Sequence, residues 1–179
     1  MKQFKKLILL LIFSSTVLFS QGEDMNITSF NFKNKTTIPE KYTCEGEGIS
    51  PQLTWEDYPK ETKSFVLIMD DPDAVGGVWD HWIVYDIPVE NTSIKEGESK
   101  PNGSKMGETT NNEKSYVAPC PPKGSGVHDY TFKIYALDIE ELSPKALKKL
   151  DIEKAMDGHI LSEGRLIGNV EKKNRFFFF

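Results

Sequence analysis

Cysteine is scarce in this chain: Cys44 and Cys120 are the only two among 179 residues, so no third thiol competes for either. No apolar run is long enough to be read as a membrane span, which needs about 20 residues. The longest, Leu7 to Phe13, is extended only by Val17-Leu18-Phe19 beyond three hydroxyl residues. Basic charge is in deficit, with 22 Lys and Arg against 27 Asp and Glu, a net of −5. An acidic chain argues against nucleic acid and anionic membrane surfaces as main partners. Internal repeats and low-complexity segments are missing. What remains, 38% hydrophobic and 27% charged residues over a single-domain length, describes an ordinary globular chain able to bury one core.

The ends differ from the middle. Lys2, Lys5 and Lys6 precede the apolar run, Ser20 and Gly22 are small, and charge resumes at Glu23. This is the layout of a secretory signal peptide over 1–20, with an uncleaved anchor as the alternative. No cysteine follows the run, so a lipid-modified N-terminus is not expected. Loss of the three lysines takes the net charge from −5 to −8. The mature protein is then exported, periplasmic or secreted, and not integral to the membrane. In an oxidising compartment disulfides persist. A Cys44–Cys120 bridge is therefore expected, against two free thiols. Residues 171–179 form a tail ending in Phe176 to Phe179, for which we have no physical account.

Between the ends, two-residue alternation favours strands. Ile27 to Phe32, Ser64 to Met69, His81 to Ile87 and Tyr130 to Leu137 are candidates. In the last, Tyr130, Phe132 and Ile134 share a face opposite Thr131, Lys133 and Tyr135. Glu90 to Ala118 reads as an extended surface loop. Ser143-Pro144 reads as the start of a helix over Lys145 to Leu150, with a second helix over Asp151 to Leu161. The expected class is mostly β with one or two C-terminal helices.

Three segments concentrate chemistry. Asp70-Asp71-Pro72-Asp73 follows an apolar strand, and carboxylates there are costly to desolvate unless paired. The alternative is a solvated turn. Trp79-Asp80-His81-Trp82 holds a histidine between two large rings, either a ligand or a satisfied core residue. Pro119-Cys120-Pro121-Pro122 leads into a Gly-rich stretch ending at His128 and Tyr130. Three prolines in four residues cannot sit inside a sheet. They make a stiff entry that could hold side chains over a pocket, or a merely structural loop.

In combination these segments resemble the phosphatidylethanolamine-binding protein family, in its bacterial and archaeal Raf-kinase-inhibitor-like branch. The matching stretches begin with Tyr42-Thr-Cys-Glu-Gly46, Ser50-Pro51-Gln-Leu-Thr-Trp55 and Lys63-Ser-Phe65. They continue through Asp70-Asp-Pro-Asp-Ala74, His81-Trp-Ile-Val-Tyr-Asp-Ile-Pro88 and Pro119-Cys-Pro-Pro-Lys-Gly124. They end with His128-Asp-Tyr-Thr-Phe132 and Tyr135-Ala-Leu-Asp138. The resemblance implies a domain over 24–170 built on a central antiparallel sheet packed with a smaller second sheet. It also implies a pocket for phosphate-like anions formed by Asp71, Asp73, His81, Cys120, Pro122, His128 and Tyr130. The partner it implies is a small anion or phosphorylated head group, with a protease- or kinase-type protein partner as the alternative. Val75 stands where the family usually has proline, and a cis peptide there is not expected, because a non-proline cis bond costs about 3–4 kcal/mol. Ala118 stands where glycine is usual.

In such a pocket the carboxylates orient the imidazoles and raise their pKa, and the imidazoles present N–H groups to a phosphate oxygen. Anion affinity is then expected to rise as pH falls through roughly 6.5. No Ser or Cys nucleophile stands in a recognisable setting and the His and carboxylate spacing matches no strong metal motif. An enzyme, a metal and a cofactor are accordingly not expected, with a hydrolase using His and Asp as an acid–base pair as the less favoured alternative.

Overall fold

The structure is a computed structural model and describes residues 25–172. The leader over 1–20 and the Phe176 to Phe179 run lie outside the described residues. Nine strands and one helix follow in chain order: β1 (Asn26–Thr28), β2 (Thr36–Thr37), β3 (Leu53–Glu56), β4 (Ser64–Asp71), β5 (Trp79–Pro88), β6 (Ser93–Ile94), β7 (Lys105–Met106), β8 (Val127–Leu137), α1 (Lys149–Met156) and β9 (Ile160–Glu171). The larger sheet has the order β2-β9-β8-β4-β5-β7 and the smaller one β1-β3-β6. Pairing is antiparallel except between β2 and β9.

β4 lies inside the larger sheet, and all eight of its residues are buried. Its apolar run has two destinations. Phe65, Leu67 and Met69 join Trp55, Leu53 and Phe132 between the two sheets. Val66 and Ile68 join Ile152 and Met156 of α1 on the opposite face. The alternation continues into the acidic end of the strand. Asp70 meets Lys149 of α1 at 3.1 Å and Lys133 at 2.7 Å, whereas Asp71 points to the inter-sheet side. Adjacent carboxylates of one strand thus serve opposite faces, as a two-residue period requires.

The end of the chain departs from the sequence-based expectation. Ser143 to Leu147 is not helical, one helix forms at Lys149–Met156, and the expected helix over Asp151 to Leu161 stops there. The twelve-residue strand β9 follows and pairs with the whole of β8. Its inward positions include Ser162, Gly164 and Gly168, so the alternation is not carried by apolar side chains. The glycines have a steric cause: a Cβ at Gly164 would come 2.4 Å from the Met25 carbonyl oxygen, and one at Gly168 would come 2.4 Å from Ile38. The N-terminal segment crosses β9 at this range, with Met25 donating to Glu163 O and Ile38 to Asn169 O.

Two further expectations change. Of Ile27 to Phe32, strand forms only as β1, and Phe32 is instead a buried core residue. The segment 90–118 is not simply a surface loop, since Ile94, Ser104 and Thr109 are buried and β6 and β7 anchor it to the two sheets. No peptide bond among the described residues is cis. No helix among them is long and apolar enough to cross a membrane.

Candidate functional site

The inter-sheet core ends in a cavity of about 260 Å3. Asp71, His81, His128 and Tyr130 bring polar groups to it, and Val75, Trp79, Ala118, Cys120, Pro121 and Pro122 are also in its lining. Its polar walls come from three neighbouring strands. His128 and Tyr130 share the inward face of β8 with Phe132 and Ile134, so plain alternation aims them. His81 requires an irregularity. Met69 pairs with Trp82 but Asp70 pairs with Asp80, so β5 carries an extra residue at this point. Asp80 faces Lys149 of α1 at 2.7 Å, yet both His81 and Trp82 lie on the inter-sheet side. A bulge re-aims side chains in this way, often beside a functional site.

The hydrogen bonds assign distinct roles. Asp71 Oδ1 accepts the Asp73 N–H at 2.8 Å, and its Oδ2 lies 2.8 Å from His128 Nδ1. A carboxylate can only accept, so Nδ1 carries the proton. The other ring nitrogen, Nε2, lies 2.8 Å from Ser125 Oγ, which is itself 2.8 Å from the Pro122 carbonyl oxygen. His128 therefore has both nitrogens engaged within the protein. His81 has one. Its Nδ1 lies 2.8 Å from the Val117 carbonyl oxygen and must donate to it, which leaves Nε2 without a protein partner among the described residues. The His81 ring packs edge-on against Tyr130, with centroids 5.1 Å apart.

Electrostatics separates them further. Burial pushes the His81 pKa below its ordinary value, and this outweighs the Val117 carbonyl, Asp71, Asp80 and Asp70, all of which favour the cation. The expected upward shift by carboxylates is thus reversed for this ring. Burial also raises Tyr130, with Asp71 adding to the rise and the Cys120 amide opposing it. Tyr130 is a neutral hydroxyl at any physiological pH.

The rim is held covalently. Cys44 and Cys120 form a disulfide across 76 positions of sequence, and the Cys44 N–H donates to Pro119 O at 3.0 Å. Lys172 Nζ sits 3.5 Å and 3.4 Å from the two sulfurs.

Of the residues expected from sequence, Asp71, His81, Cys120, Pro122, His128 and Tyr130 line the cavity. Asp73 does not. It is exposed, and its Oδ2 accepts the Asp129 N–H at 2.8 Å, tying the turn after β4 to the start of β8. Ser125 is a further functional residue, and the sequence marks it only by its place in a Gly-Ser-Gly turn three residues before His128. No group of three or more His, Cys, Asp or Glu among the described residues is placed to hold a metal ion. A larger cavity of about 370 Å3 lies at the other end of β5, where Asp86 is already paired with Lys105 at 2.9 Å. Among the described residues it is lined by carboxylates and lysines and by no histidine or tyrosine.

Comparison with known proteins bears on this arrangement. The sequence pattern of the family described as phosphatidylethanolamine-binding protein matches residues 28–171. A UPF0098 protein of Aquifex aeolicus is 46% identical over 156 residues, covering 84% of this chain and 91% of the relative. A Mycobacterium tuberculosis relative named as lipoprotein LppC is 33% identical over 84% of this chain and 74% of its own. The crystal structure of the Chlamydia trachomatis phosphatidylethanolamine-binding protein homologue CT736 superposes with a TM-score of 0.77 at 41% identity, covering 83% of this chain and 98% of that one.

Proposed function

The chain belongs to the phosphatidylethanolamine-binding protein family, and on that premise we propose that it is an exported binding protein whose cavity takes phosphate-like anions or phosphorylated head groups. The observation that carries the reading is the unmatched Nε2 of His81 in a cavity whose lining is otherwise largely apolar. With Nδ1 committed to Val117 O, protonation of the ring creates an N–H that has no acceptor among the described residues and is available to a ligand. The Tyr130 hydroxyl and the backbone near Cys120 lie beside it. Asp71 is occupied by His128, so its charge is balanced inside the protein when that ring is cationic. The ligand is therefore bound chiefly by His81, with His128 and Asp71 as supports.

Export is supported by the disulfide, by the basic and apolar leader, and by the lipoprotein name of one relative. A protein partner is the second reading, favoured by the exposed Val75 and Val78 on the turn beside the cavity. No catalytic turnover of the bound anion is part of this reading.

The test is calorimetric titration of the mature protein with inorganic phosphate and with phosphoethanolamine at pH 5.5 and 7.5. Binding that strengthens at the lower pH and is lost in His81→Phe supports the proposal. Equal binding by His81→Phe, or none by the parent protein at either pH, removes it.

A further inference from the structure

A hydrogen-bonded chain runs from the buried core to the surface through three side chains. Asp71 Oδ2 lies 2.8 Å from His128 Nδ1, and His128 Nε2 lies 2.8 Å from Ser125 Oγ. Asp71 and His128 are buried, whereas Ser125 is exposed. The order of atoms is the one an activated nucleophile requires: hydroxyl against one ring nitrogen, carboxylate against the other. A carboxylate on Nδ1 fixes the tautomer that leaves Nε2 free to receive a proton, and it stabilises the cation that results.

The surroundings of Ser125 suit the approach of a reactant. Gly126, the next residue, has φ 92, and a Cβ there would meet nothing within 4 Å. Its N–H has no partner among the described residues. The amide following a nucleophile is a usual donor to a developing oxyanion. One contact competes with this arrangement. Ser125 Oγ also lies 2.8 Å from Pro122 O, so its single proton has two acceptors. When the proton goes to Pro122 O, His128 must donate from Nε2 and is cationic. When it goes to Nε2, His128 is neutral and able to act as a base.

We propose that Ser125 is a nucleophile, with His128 as its base and Asp71 as the positioning residue, and that it confers slow acyl transfer from small activated carboxylic esters. The Ser125 oxygen attacks the ester carbonyl carbon while its proton passes to His128 Nε2. The tetrahedral oxyanion meets the Gly126 N–H. The bond to the leaving alcohol breaks, and that alcohol takes the proton from Nε2. Water then attacks the acyl-serine, His128 removes its proton, and return of that proton to Ser125 restores the starting state. Ser125 stands outside the anion cavity, so the substrates are small and weakly held. The inference does not rest on anion binding.

The test is to treat the mature protein with a fluorophosphonate and, separately, with p-nitrophenyl acetate, and to locate the adduct by peptide mass spectrometry. The expected result is an adduct on Ser125. Its rate of formation should fall about 10²-fold in His128→Ala, the usual size of a general-base effect. It should vanish in Ser125→Ala. Asp71→Asn should shift the pH dependence of labelling, which a purely structural role would leave unmoved, with melting curves establishing that the variants are folded. Absence of any adduct on Ser125, labelling unchanged in His128→Ala, or adducts confined to lysines overturns the proposal. A Ser125→Ala variant that merely melts earlier, beside a parent protein that is not labelled, makes Ser125 a lock on the loop and overturns it equally. Failure of phosphate to bind would overturn the anion reading alone.

Discussion

His128 Nδ1 and Asp71 Oδ2 lie 2.8 Å apart although both side chains are only 3–4% exposed, and the pair joins β8 to the end of β4 across 57 positions of sequence. A carboxylate this deep is tolerable because two donors meet it, the His128 ring and the Asp73 amide. Removing the ring leaves a buried charge short of its main partner. His128→Leu is expected to cost about 3–5 kcal/mol in urea unfolding, the range for breaking a buried pair. Asp71→Asn should cost less than that. The double variant should fall short of the sum of the two by at least about 1 kcal/mol, because the residues are in contact.

The His81 pKa gives stability a pH dependence of known sign. Burial lowers it in the folded protein, so between that lowered value and the ordinary value of about 6.5 the unfolded chain binds more protons. Stability from this group is full above about 6.5 and is lost as pH falls toward the folded-state pKa. The ligand-free melting temperature is expected to decline across that window, and His81→Phe should remove this part of the decline. An anion that needs the protonated ring works in the opposite direction, so 10 mM phosphate should narrow the loss in the parent protein and not in His81→Phe. Differential scanning fluorimetry at half-unit pH steps measures both effects.

The disulfide closes a long loop and clamps the proline-rich rim to the segment after the 3-10 turn at Glu40–Tyr42. Both cysteines are exposed, so reductant has access. Chain entropy over 76 positions sets the stabilisation on the order of 4 kcal/mol. Reduction, or Cys44→Ser with Cys120→Ser, should lower the urea midpoint accordingly. It should also weaken anion binding, since the Cys120 backbone stands in the cavity wall.

The parts of the fold readable from sequence are those in which side-chain chemistry repeats the backbone period. β4 and the inward face of β8 carry apolar residues at the expected spacing, and Tyr130 was assigned its face from that pattern alone. β9 was hidden because its inward places at Ser162, Gly164 and Gly168 are small. Their size answers the chain crossing at Met25 and Ile38, a contact distant in sequence and invisible to local periodicity. His81 stands out in the sequence as a residue but its direction does not, because the bulge against Asp70 breaks the alternation that would place it. The sharing of work between the histidines was likewise not legible. It depends on which carbonyl or hydroxyl each ring nitrogen meets, and Ser125 and Val117 carry no signal for that.

Asp70, the neighbour of Asp71 on β4, supports the helix instead of the cavity. Lys149 of α1 reaches Asp80 at 2.7 Å and Asp70 at 3.1 Å. Burial alone would lower the pKa of this lysine, but the two carboxylates outweigh it and hold the ammonium charged. Lys149→Met retains the aliphatic stem and removes the charge. It should cost about 1.5–3 kcal/mol, the range for hydrogen bonds to charged groups, with Lys133 still pairing Asp70. Hydrogen exchange should show faster opening of Lys149–Met156, while anion affinity stays within about two-fold, because Asp70 and Asp71 face opposite sides of the sheet.

Selectivity among phosphate esters is expected to come from the apolar side of the cavity. Val75 is 82% exposed, Trp79 is 37% exposed, and both stand beside the polar wall that His81 provides. A cavity of about 260 Å3 exceeds what a lone phosphate fills, since a water claims about 30 Å3 of liquid. The substituent of a phosphate monoester would then lie against these two side chains and cover surface they now expose to water. Burial of apolar area yields about 25 cal/mol per Å2, and an aromatic contact adds about 0.5–1.5 kcal/mol. Phenyl phosphate is expected to bind several-fold more tightly than inorganic phosphate. Trp79→Ala should reduce that preference by about 1 kcal/mol, a factor near five, while leaving the affinity for inorganic phosphate unchanged. Parallel titrations of the two ligands against both proteins decide the matter. An equal loss for both ligands would place Trp79 among the supports of His81, and no loss for either would remove it from the ligand's path.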